Sequence, residues 1–551
     1  MQEDFSLTAT RVKLLTAGMD PSEATFWRQA LAGGRIFESI SQLEDLEPSD
    51  GDLIVLCGSA RHERGGQFVL ENLTDAGAKV LLSGSGSETL TVTDLTFAGL
   101  GDITPLGEGE WYLSPGSPLR EVGIGTELAV SGQFSELDPS SGEVLASISV
   151  GYRHRAAIVR RGPITTVGIV PGSSRTGCAE LGRWIRRAVF SPLPGARAVY
   201  RVGIVGYGSY GGMGHYHGVA INDTPGLELV AIAEPNAERR ELALKEFPKA
   251  RAHGDGTALA QDKDVDVVLI ATPPSTHFDL AKAAISAGKH VVLEKPMCLT
   301  TNEADALMHL AHQHNVMLTV HQNRRFDADF AALKELVDSG ELGSVFNIET
   351  FVGGFEHPCR AWHSEESISG GAAYDWGSHH IDWILQLYGA SPTELFVQSH
   401  KRIWKDITNL DQIRIRMAFS DGREAEFVQS DVAGARRPKF YVQGTAGTAI
   451  AYYEPVVKAE VEFPFGFTQT EYHHAEAPVT FRVSLYRGPD SNRTVLIGPK
   501  KLPPFGFHQN LRDHLAFGDP LAVTPESVRP VIEVLEVAHN LSTHDERYAK
   551  L

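Results

Sequence analysis

A glycine-rich turn between an apolar strand and a helix constrains the fold of this chain more than any other feature. Strand-like RVGIV leads into Gly206, Tyr207, Gly208, Ser209, Tyr210 and Gly211, the pattern G-x-G-x-x-G, and the acidic residue Glu234 ends the next apolar segment. Glycines let the backbone approach a pyrophosphate, the helix N-terminus stabilises its charge, and the carboxylate accepts the ribose hydroxyls. The pattern therefore predicts a dinucleotide-binding Rossmann domain.

The charges after the second strand indicate which dinucleotide is bound. Glu234 favours NAD, because a carboxylate repels the 2′-phosphate of NADP. Arg239 and Arg240 lie close enough in sequence to bind that phosphate. The sequence therefore predicts NAD as the cofactor and leaves NADP as an alternative.

The rest of the chain divides around this domain. Its 551 residues exceed one ordinary core, and the proline-containing segment SPLPGARAVY (191–200) is the best linker. Residues 1–195 alternate strands and helices around a glycine-rich middle (97–142), which predicts a flavodoxin-like α/β domain. Residues 199–322 form the predicted Rossmann domain. In residues 323–551, period-two strands predict an α+β domain with a large, mostly antiparallel sheet.

Composition excludes several classes of function. The formal charge of −19 disfavours binding to nucleic acid, which needs clustered cations. The four cysteines lie far apart without a CxxC pair, so a disulfide scaffold or structural zinc site is not expected. No apolar run is long enough to span a membrane, and the start of the chain does not resemble a signal peptide. A cytoplasmic protein is expected.

Two segments at strand ends are candidates for the nicotinamide side of the site. Ligands of open α/β sheets bind at the carboxyl ends of the strands. The segment ATPPSTH therefore places Thr272, Pro273, Pro274 and His277 beside the cofactor, and Glu294-Lys295-Pro296 ends the next strand on the same edge. A part-buried lysine beside a nicotinamide cation is suited to proton transfer.

A third candidate lies in the segment SGGAAYDWGSHHIDW (369–383). Asp375 and His379 are four residues apart, so on a helix they share a face. There the carboxylate can orient the imidazole and raise its basicity. Such a pair can deprotonate a substrate hydroxyl as hydride leaves its carbon. A simple ion pair on the helix surface is the alternative.

Together these segments resemble the Gfo/Idh/MocA oxidoreductases. The resemblance covers about residues 200–551 and includes the glycine turn, ATPPSTH, EKP (294–296), NRRF (323–326) and GGAAYDWGSHHID, in the family's order. It implies NAD(P)-linked oxidation or reduction of a sugar, cyclitol or related carbonyl. It also implies homodimers or homotetramers, built through the open face of the second-domain sheet, which we expect to be apolar.

The resemblance also implies roles for individual residues. Lys295 matches the family's lysine that contacts the substrate hydroxyl and the nicotinamide ribose, and the proline after it is often cis. Asp375 and His379 match the aspartate–histidine pair, with His379 the expected proton acceptor. Arg324 is expected near the cofactor, and Asn323 and Trp362 at the substrate, although packing is an equal alternative for Trp362.

Two rival functions remain open: a glycoside hydrolase or lyase that oxidises the sugar transiently with NAD, and a non-catalytic NAD or sugar sensor. Residues 1–195 are similar to ThuA-like domains of the class-I glutamine-amidotransferase-like folds. Cys57 lacks the histidine–acid partners of an amidotransferase there, so an accessory role is expected. Histidine pairs such as His215/His217 have no third ligand at regular spacing, and no metal is predicted.

Overall fold

The structure is a computed structural model of the 551-residue chain. It describes residues 12–15, 27, 35–37, 53–56, 66–83, 98–116, 118–119, 127–150, 153–171, 178–190, 199–208, 212–358, 362–453, 458–463, 467–472, 478–488, 492–502, 504–543 and 547–551. The chain forms two compact units, residues 1–198 with 510–520 and residues 199–509 with 521–551. Among the described helices, none combines the length and apolarity that crossing a membrane requires.

The first unit contains a ten-stranded mixed sheet. Five strands lie parallel in the order β2-β1-β3-β4-β9, which is the flavodoxin-like order and confirms the predicted class. The glycine-rich middle, to which the sequence assigned no strands, supplies the long antiparallel pair β5 and β6. The elements are β1 Val12–Leu15, β2 Arg35–Phe37, β3 Leu53–Leu56, α1 Gly66–Asp75, β4 Lys79–Ser83, β5 Leu100–Pro115, β6 Leu128–Pro139, β7 Glu143–Val150, β8 Arg153–Arg161, β9 Ile164–Val167, β10 Ile169–Pro171 and α2 Cys178–Phe190.

The second unit begins with a six-stranded parallel sheet in the order β13-β12-β11-β14-β15-β16. This is the doubly wound 3-2-1-4-5-6 order, and the apolar runs of its inner strands are buried as a covered parallel sheet requires. The Rossmann prediction is confirmed. The elements are β11 Tyr200–Val205, α3 Met213–Asn222, β12 Leu227–Ala233, α4 Ala237–Glu246, β13 Arg251–His253, α5 Gly256–Ala260, β14 Val267–Ile270, α6 His277–Ser286, β15 His290–Glu294, α7 Thr301–Gln313 and β16 Leu318–His321.

A nine-stranded sheet follows, antiparallel except where β17 pairs with β20, which confirms the predicted α+β class. Helix α10 packs on β20 and on α12. The elements are α8 Ala328–Asp338, β17 Val345–Gly353, α9 Glu366–Ser369, α10 Ala372–Tyr388, β18 Glu394–His400, β19 Gln412–Ala418, β20 Glu424–Ser430, β21 Phe440–Gly444, β22 Gly447–Ala451, β23 Lys458–Phe463, β24 Phe467–Tyr472, β25 Phe481–Leu485, β26 Arg493–Ile497, α11 Gly506–Phe517, α12 Pro525–Thr543 and β27 Tyr548–Lys550.

The face of this sheet away from α10 differs from the expectation. Alternate residues of β19 turn inward, so that Ile413 and Ile415 are buried, whereas Arg416 on the other face pairs with Glu426 at 3.1 Å. Arg437 bridges Glu426 and Glu349, at 2.8 Å from each. The open face is therefore not uniformly apolar as we expected, because ion pairs occupy the part formed by β17, β19 and β20.

Candidate active site

The glycine turn positions the first part of the site. Gly206 follows β11 with φ +100°, and a Cβ there would lie 2.6 Å from the carbonyl oxygen of Ala271, so no larger residue fits without movement. A Cβ on Gly214, in the first turn of α3, would lie 2.7 Å from the carbonyl oxygen of Gly206. Gly214 was not among the predicted residues, although GGMG (211–214) provided a signal. Ser209, Tyr210 and Gly211 lie outside the described residues.

The acidic residue after β12 holds the turn itself. The Glu234 carboxylate is 4 % exposed and accepts hydrogen bonds from the backbone N–H groups of Tyr207, at 2.9 Å, and Asn236, at 3.0 Å. The guanidinium of Arg239 lies 4.0 Å from the same carboxylate and is half exposed. Arg240 instead donates to the carbonyl oxygens of Glu234 and Pro235. Of the two predicted phosphate-binding arginines, Arg239 is thus the one that faces the cavity.

A cavity of about 410 Å³ lies along this edge of the sheet. It runs from Glu234 and Arg239, past the ends of β11 and β14, to the end of β15, which is where a doubly wound sheet binds its ligand. The predicted site residues that line it are Gly206, Gly208, Glu234, Thr272, Pro273, Glu294, Lys295 and Trp362.

His277 and Pro274 were predicted to contact the cofactor but do not line this cavity. His277 is fully buried; its Nδ1 lies 2.9 Å from the carbonyl oxygen of Pro296 and its Nε2 lies 2.8 Å from that of Thr272. The imidazole therefore ties the loop after β14 to the loop after β15. Pro274 is buried and starts the 3₁₀ turn Pro274–Thr276. Both residues are therefore buried beneath the loops that form the cavity wall.

Tyr207 is also buried rather than exposed to the cavity. Its hydroxyl donates to the Glu246 carboxylate, which also contacts Nδ1 of His215. Burial raises the pKa of Glu246 to about 7. The side chain of this turn residue therefore anchors the turn to α4, and only its backbone remains near the cavity.

Lys295 and Asp375 meet at the end of the cavity. Nζ of Lys295 donates to Oδ1 of Asp375 at 2.6 Å, and the Lys295–Pro296 peptide bond is cis. Burial alone would raise the pKa of Asp375, but the neighbouring charge of Lys295 holds that pKa below its usual value. Asp375 keeps 36 % of its side chain exposed, although it is not among the residues that line the cavity. The ion pair is therefore accessible to a ligand.

His379 lies one helical turn after Asp375 and is 4 % exposed. Its Nδ1 has no hydrogen-bond partner among the described residues, so Asp375 does not orient it as predicted. The carboxylate instead bonds to the ammonium of Lys295, because a charge-assisted hydrogen bond is stronger than one to a neutral imidazole. Burial, with the nearby charges of Lys295 and Arg324, holds the pKa of His379 well below its usual value. The imidazole is therefore neutral near pH 7.

Trp362 and His363 form the far wall. Their rings stack with centroids 3.5 Å apart, and both line the cavity. The His363 carbonyl oxygen accepts a hydrogen bond from the side chain of Asn409, a residue that sequence reasoning missed. Burial lowers the pKa of His363 to about 4. This uncharged aromatic pair faces the Lys295 end of the site.

Arg324 and Asn323 are in the 3₁₀ helix Asn323–Phe326, away from the cavity lining. The guanidinium of Arg324 lies 3.0 Å from Asp327 and 5.0 Å from the ring centre of Trp376. Arg324 therefore does not line the cavity, and its contact with the cofactor stays a prediction. Instead it packs on the helix that carries Asp375 and His379, and its charge acts on both.

The 3-2-1-4-5-6 sheet, the glycine turn and the cavity define a Rossmann-type dinucleotide-binding protein. A family profile described as the oxidoreductase family with an NAD-binding Rossmann fold matches residues 200–322, and a profile of the GFO/IDH/MocA C-terminal domain matches residues 330–450. The chain belongs to the Gfo/Idh/MocA family of oxidoreductases, as its motifs predicted, and has an NAD(P)-binding domain. The similarity of residues 1–195 to ThuA-like domains stays a prediction.

Similar proteins agree with this assignment. The chain is 27 % identical over 354 residues to a scyllo-inositol 2-dehydrogenase (NADP(+)), IolW, of Bacillus subtilis, covering 63 % of this chain and 95 % of that protein. It is 31 % identical over 253 residues to the oxidoreductase YdgJ of Escherichia coli, covering 46 % and 71 %. The solved NAD-binding protein from Listeria innocua is 28 % identical with a TM-score of 0.53, covering 64 % of this chain and 96 % of that one.

Proposed function

We propose that this protein is an NAD(P)-dependent dehydrogenase that interconverts a secondary alcohol and a ketone of a sugar, cyclitol or sugar derivative. The observation that carries the proposal is the 2.6 Å contact of Lys295 with Asp375 at the end of the dinucleotide cavity. An accessible ammonium–carboxylate pair is suited to binding a hydroxyl, since it offers a donor and an acceptor side by side. The scyllo-inositol dehydrogenase among the relatives supports a polyhydroxylated substrate.

The chain's own residues fit a dinucleotide. The space beside Gly206 would be filled by any Cβ, and the half-exposed guanidinium of Arg239 offers a cation to phosphate groups. Gly206, Gly208, Glu234, Thr272 and Pro273 would hold the cofactor. When bound, it would supply a nicotinamide ring that accepts or gives up a hydride.

In this proposal three side chains act on the substrate hydroxyl. Lys295 donates a hydrogen bond to the substrate oxygen and stabilises the negative charge that develops there. Asp375 fixes the position of the ammonium through their 2.6 Å contact. His379, which is neutral near pH 7, accepts the hydroxyl proton at a ring nitrogen. Stacked Trp362 and His363 cover the reacting carbon and exclude water.

In this proposal the choice between NAD and NADP depends on the charges of Glu234 and Arg239. Both oxygens of Glu234 already accept backbone N–H groups, whereas Arg239 lies beside them on the cavity wall with half of its side chain exposed. A 2′-phosphate would find a guanidinium partner in Arg239. We propose that both dinucleotides bind, and that Arg239 is the residue through which NADP is recognised.

The test is a substrate screen with the purified full chain. Sugars, inositols and their keto forms are mixed with each dinucleotide, and reduced nicotinamide is followed by its absorbance. His379→Ala should lower turnover by orders of magnitude while dinucleotide affinity is retained. Full activity in that variant refutes the assignment. Substrate turnover without net reduced nicotinamide would instead favour the glycoside hydrolase or lyase alternative, and binding without any turnover would favour the sensor.

The assembly and location of the protein also remain proposals. Because the family resemblance implies association through the open sheet face, we propose a homodimer or homotetramer in the cytoplasm. On that face the rings of Phe396 and Tyr548 lie 4.9 Å apart and are each more than 40 % exposed, beside the Arg437–Glu426 ion pair. Sedimentation at low and high salt tests this proposal, and a monomer in both conditions contradicts it.

A further inference from the structure

A group of three histidines and one glutamate is buried behind the Lys295 end of the cavity. Nε2 of His217 lies 2.8 Å from Oε1 of Glu294, and Nδ1 of His321 lies 2.7 Å from the same oxygen. Nδ1 of His217 lies 2.9 Å from Nε2 of His508. All three histidine side chains are at most 1 % exposed. We call this group the Glu294–histidine chain, and no residue spacing in the sequence reveals it, since its members come from α3, β15, β16 and α11.

The arrangement is a chain of hydrogen bonds rather than a metal-binding shell. The ligand atoms of the three histidines lie within 4.8 Å of one another, which alone would permit an ion. However, His217 directs one ring nitrogen at Glu294 and the other at His508. Because the two nitrogens of an imidazole point in divergent directions, one ion cannot take the place of both contacts. The 2.7–2.9 Å separations are also those of hydrogen bonds.

The ionisation of Glu294 determines which ring nitrogens of the neighbouring histidines carry a proton. The contacts of His321 and His217 hold the pKa of Glu294 well below its usual value despite burial. The backbone N–H of Lys295 donates to Oε2 of the same carboxylate at 3.0 Å. An ionised carboxylate only accepts, so His217 donates through Nε2 and His321 donates through Nδ1. His217 then accepts at Nδ1 from His508. Burial lowers the pKa of His217 to about 4 and that of His508 well below its usual value, so both imidazoles are neutral.

Glu294 is therefore a buried carboxylate that accepts hydrogen bonds from His217, His321 and the backbone N–H of Lys295. Among the described residues it makes no ion pair with a lysine or an arginine. The adjacent ammonium of Lys295 is already paired with Asp375. A buried carboxylate without a lysine or arginine partner is costly, by several kcal/mol in general, and such groups concentrate at functional sites. Glu294 also lines the cavity, so a positively charged ligand there would interact favourably with its carboxylate.

We propose that the Glu294–histidine chain fixes a negative charge against the nicotinamide end of the cavity, so that the protein binds the oxidised, positively charged nicotinamide in preference to the neutral reduced ring. This inference rests on the proposed function, because it assigns the Lys295 end of the cavity to the nicotinamide. Glu294 acts here as a positioning residue for charge, and the three histidines hold it ionised and oriented.

The dissociation constants of the oxidised and reduced dinucleotide, measured on the full chain by calorimetry at pH 7.5, test the proposal. The wild-type protein should bind the oxidised form more tightly. Glu294→Gln keeps the shape and removes the charge, so the ratio of the two constants should shift toward the reduced form by about tenfold or more. That shift corresponds to about 30 mV in the potential of the bound couple.

Two variants serve as controls. Asp262→Asn removes another carboxylate of the same domain, which contacts His253 at 3.1 Å and does not line the cavity, and it should leave the ratio unchanged. Glu294→Asp keeps the charge and should retain the preference for the oxidised form. A melting curve of each variant shows that it is folded. If Glu294→Gln does not fold, the wild-type ratio still decides, because tighter binding of the reduced form overturns the proposal.

Further outcomes separate this inference from the proposed function. If the wild-type protein binds neither form, the proposed function fails. If it binds both and Glu294→Gln leaves the ratio unchanged, only the inference about Glu294 fails. Metal analysis gives a third result: a stoichiometric ion that is lost in His508→Ala would overturn the hydrogen-bonded chain in favour of a metal site.

Discussion

The ammonium of Lys295 donates to the carboxylate of Asp375 at 2.6 Å, across 80 positions of the chain. Lys295 follows the fifth strand of the Rossmann sheet and Asp375 lies in the first turn of α10. The contact joins the cofactor cavity to the helix that carries His379. In the proposed mechanism, a substrate hydroxyl at this pair would lie between the cavity and His379.

Removing the carboxylate tests the importance of that contact. Asp375→Asn keeps the size of the side chain but cannot hold the ammonium by charge, so we expect kcat to fall by about 100- to 1,000-fold. The dissociation constant of the dinucleotide should change little, because Asp375 does not line its cavity. Asp338→Asn, which removes an exposed ion pair with Lys334, is the matched control and should retain activity. Equal kcat values in the two variants would contradict the assigned role.

The pH profile tests His379 as the proton acceptor. A base must be unprotonated to act, and burial with the charges of Lys295 and Arg324 holds the pKa of His379 well below 6.5. Its active, neutral form therefore persists as the pH falls from 8 to 6. We expect kcat/KM for alcohol oxidation with a non-ionising substrate to show no decline centred on 6.5. Such a decline, absent from His379→Gln, would show that the imidazole titrates normally.

Arg239 allows a prediction about cofactor choice. Arg239 lines the Glu234 end of the cavity, where we propose that the adenosine binds. Arg239→Ala should weaken NADP binding by about tenfold or more through the loss of a charge-assisted hydrogen bond to phosphate, and NAD binding by much less. Arg240→Ala is the comparison, since Arg240 donates to backbone carbonyls. Parallel losses for both dinucleotides in Arg239→Ala would show that it does not discriminate between them.

The raised pKa of Glu246 predicts that the free energy of unfolding depends on pH. Burial raises its pKa from 4.5 to about 7 in the folded protein, so folding favours the protonated form. That contribution is complete below pH 4.5 and is lost as the pH rises through 7. We expect Glu246→Gln to melt at a higher temperature than wild type at pH 8.5, and the difference to shrink toward pH 6. A melting difference that stays the same from pH 6 to 8.5 would contradict the raised pKa.

Local patterns in the sequence determined the backbone of the second unit. The spacing of Gly206, Gly208 and Glu234 predicted a Rossmann turn. Continuous apolar segments predicted the parallel sheet, and segments with alternating polarity predicted the antiparallel sheet. The sequence contains these signals because they depend on the conformation of neighbouring residues. The glycine-rich stretch 97–142 was not assigned as strands. Its strands β5 and β6 form through pairing with each other, which local composition does not reveal.

Only the tertiary structure decided which side chains meet. Asp375 was predicted to orient His379 from its position one turn away, yet it bonds to Lys295, since a charged donor from a distant strand competes better than a neutral neighbour. His277 became a link between two loops, and His217, His321 and His508 gathered around Glu294. Helix and strand periods fix the face on which a residue lies. The residue that it contacts depends on how faces from distant parts of the chain pack together. No local sequence pattern contains that information.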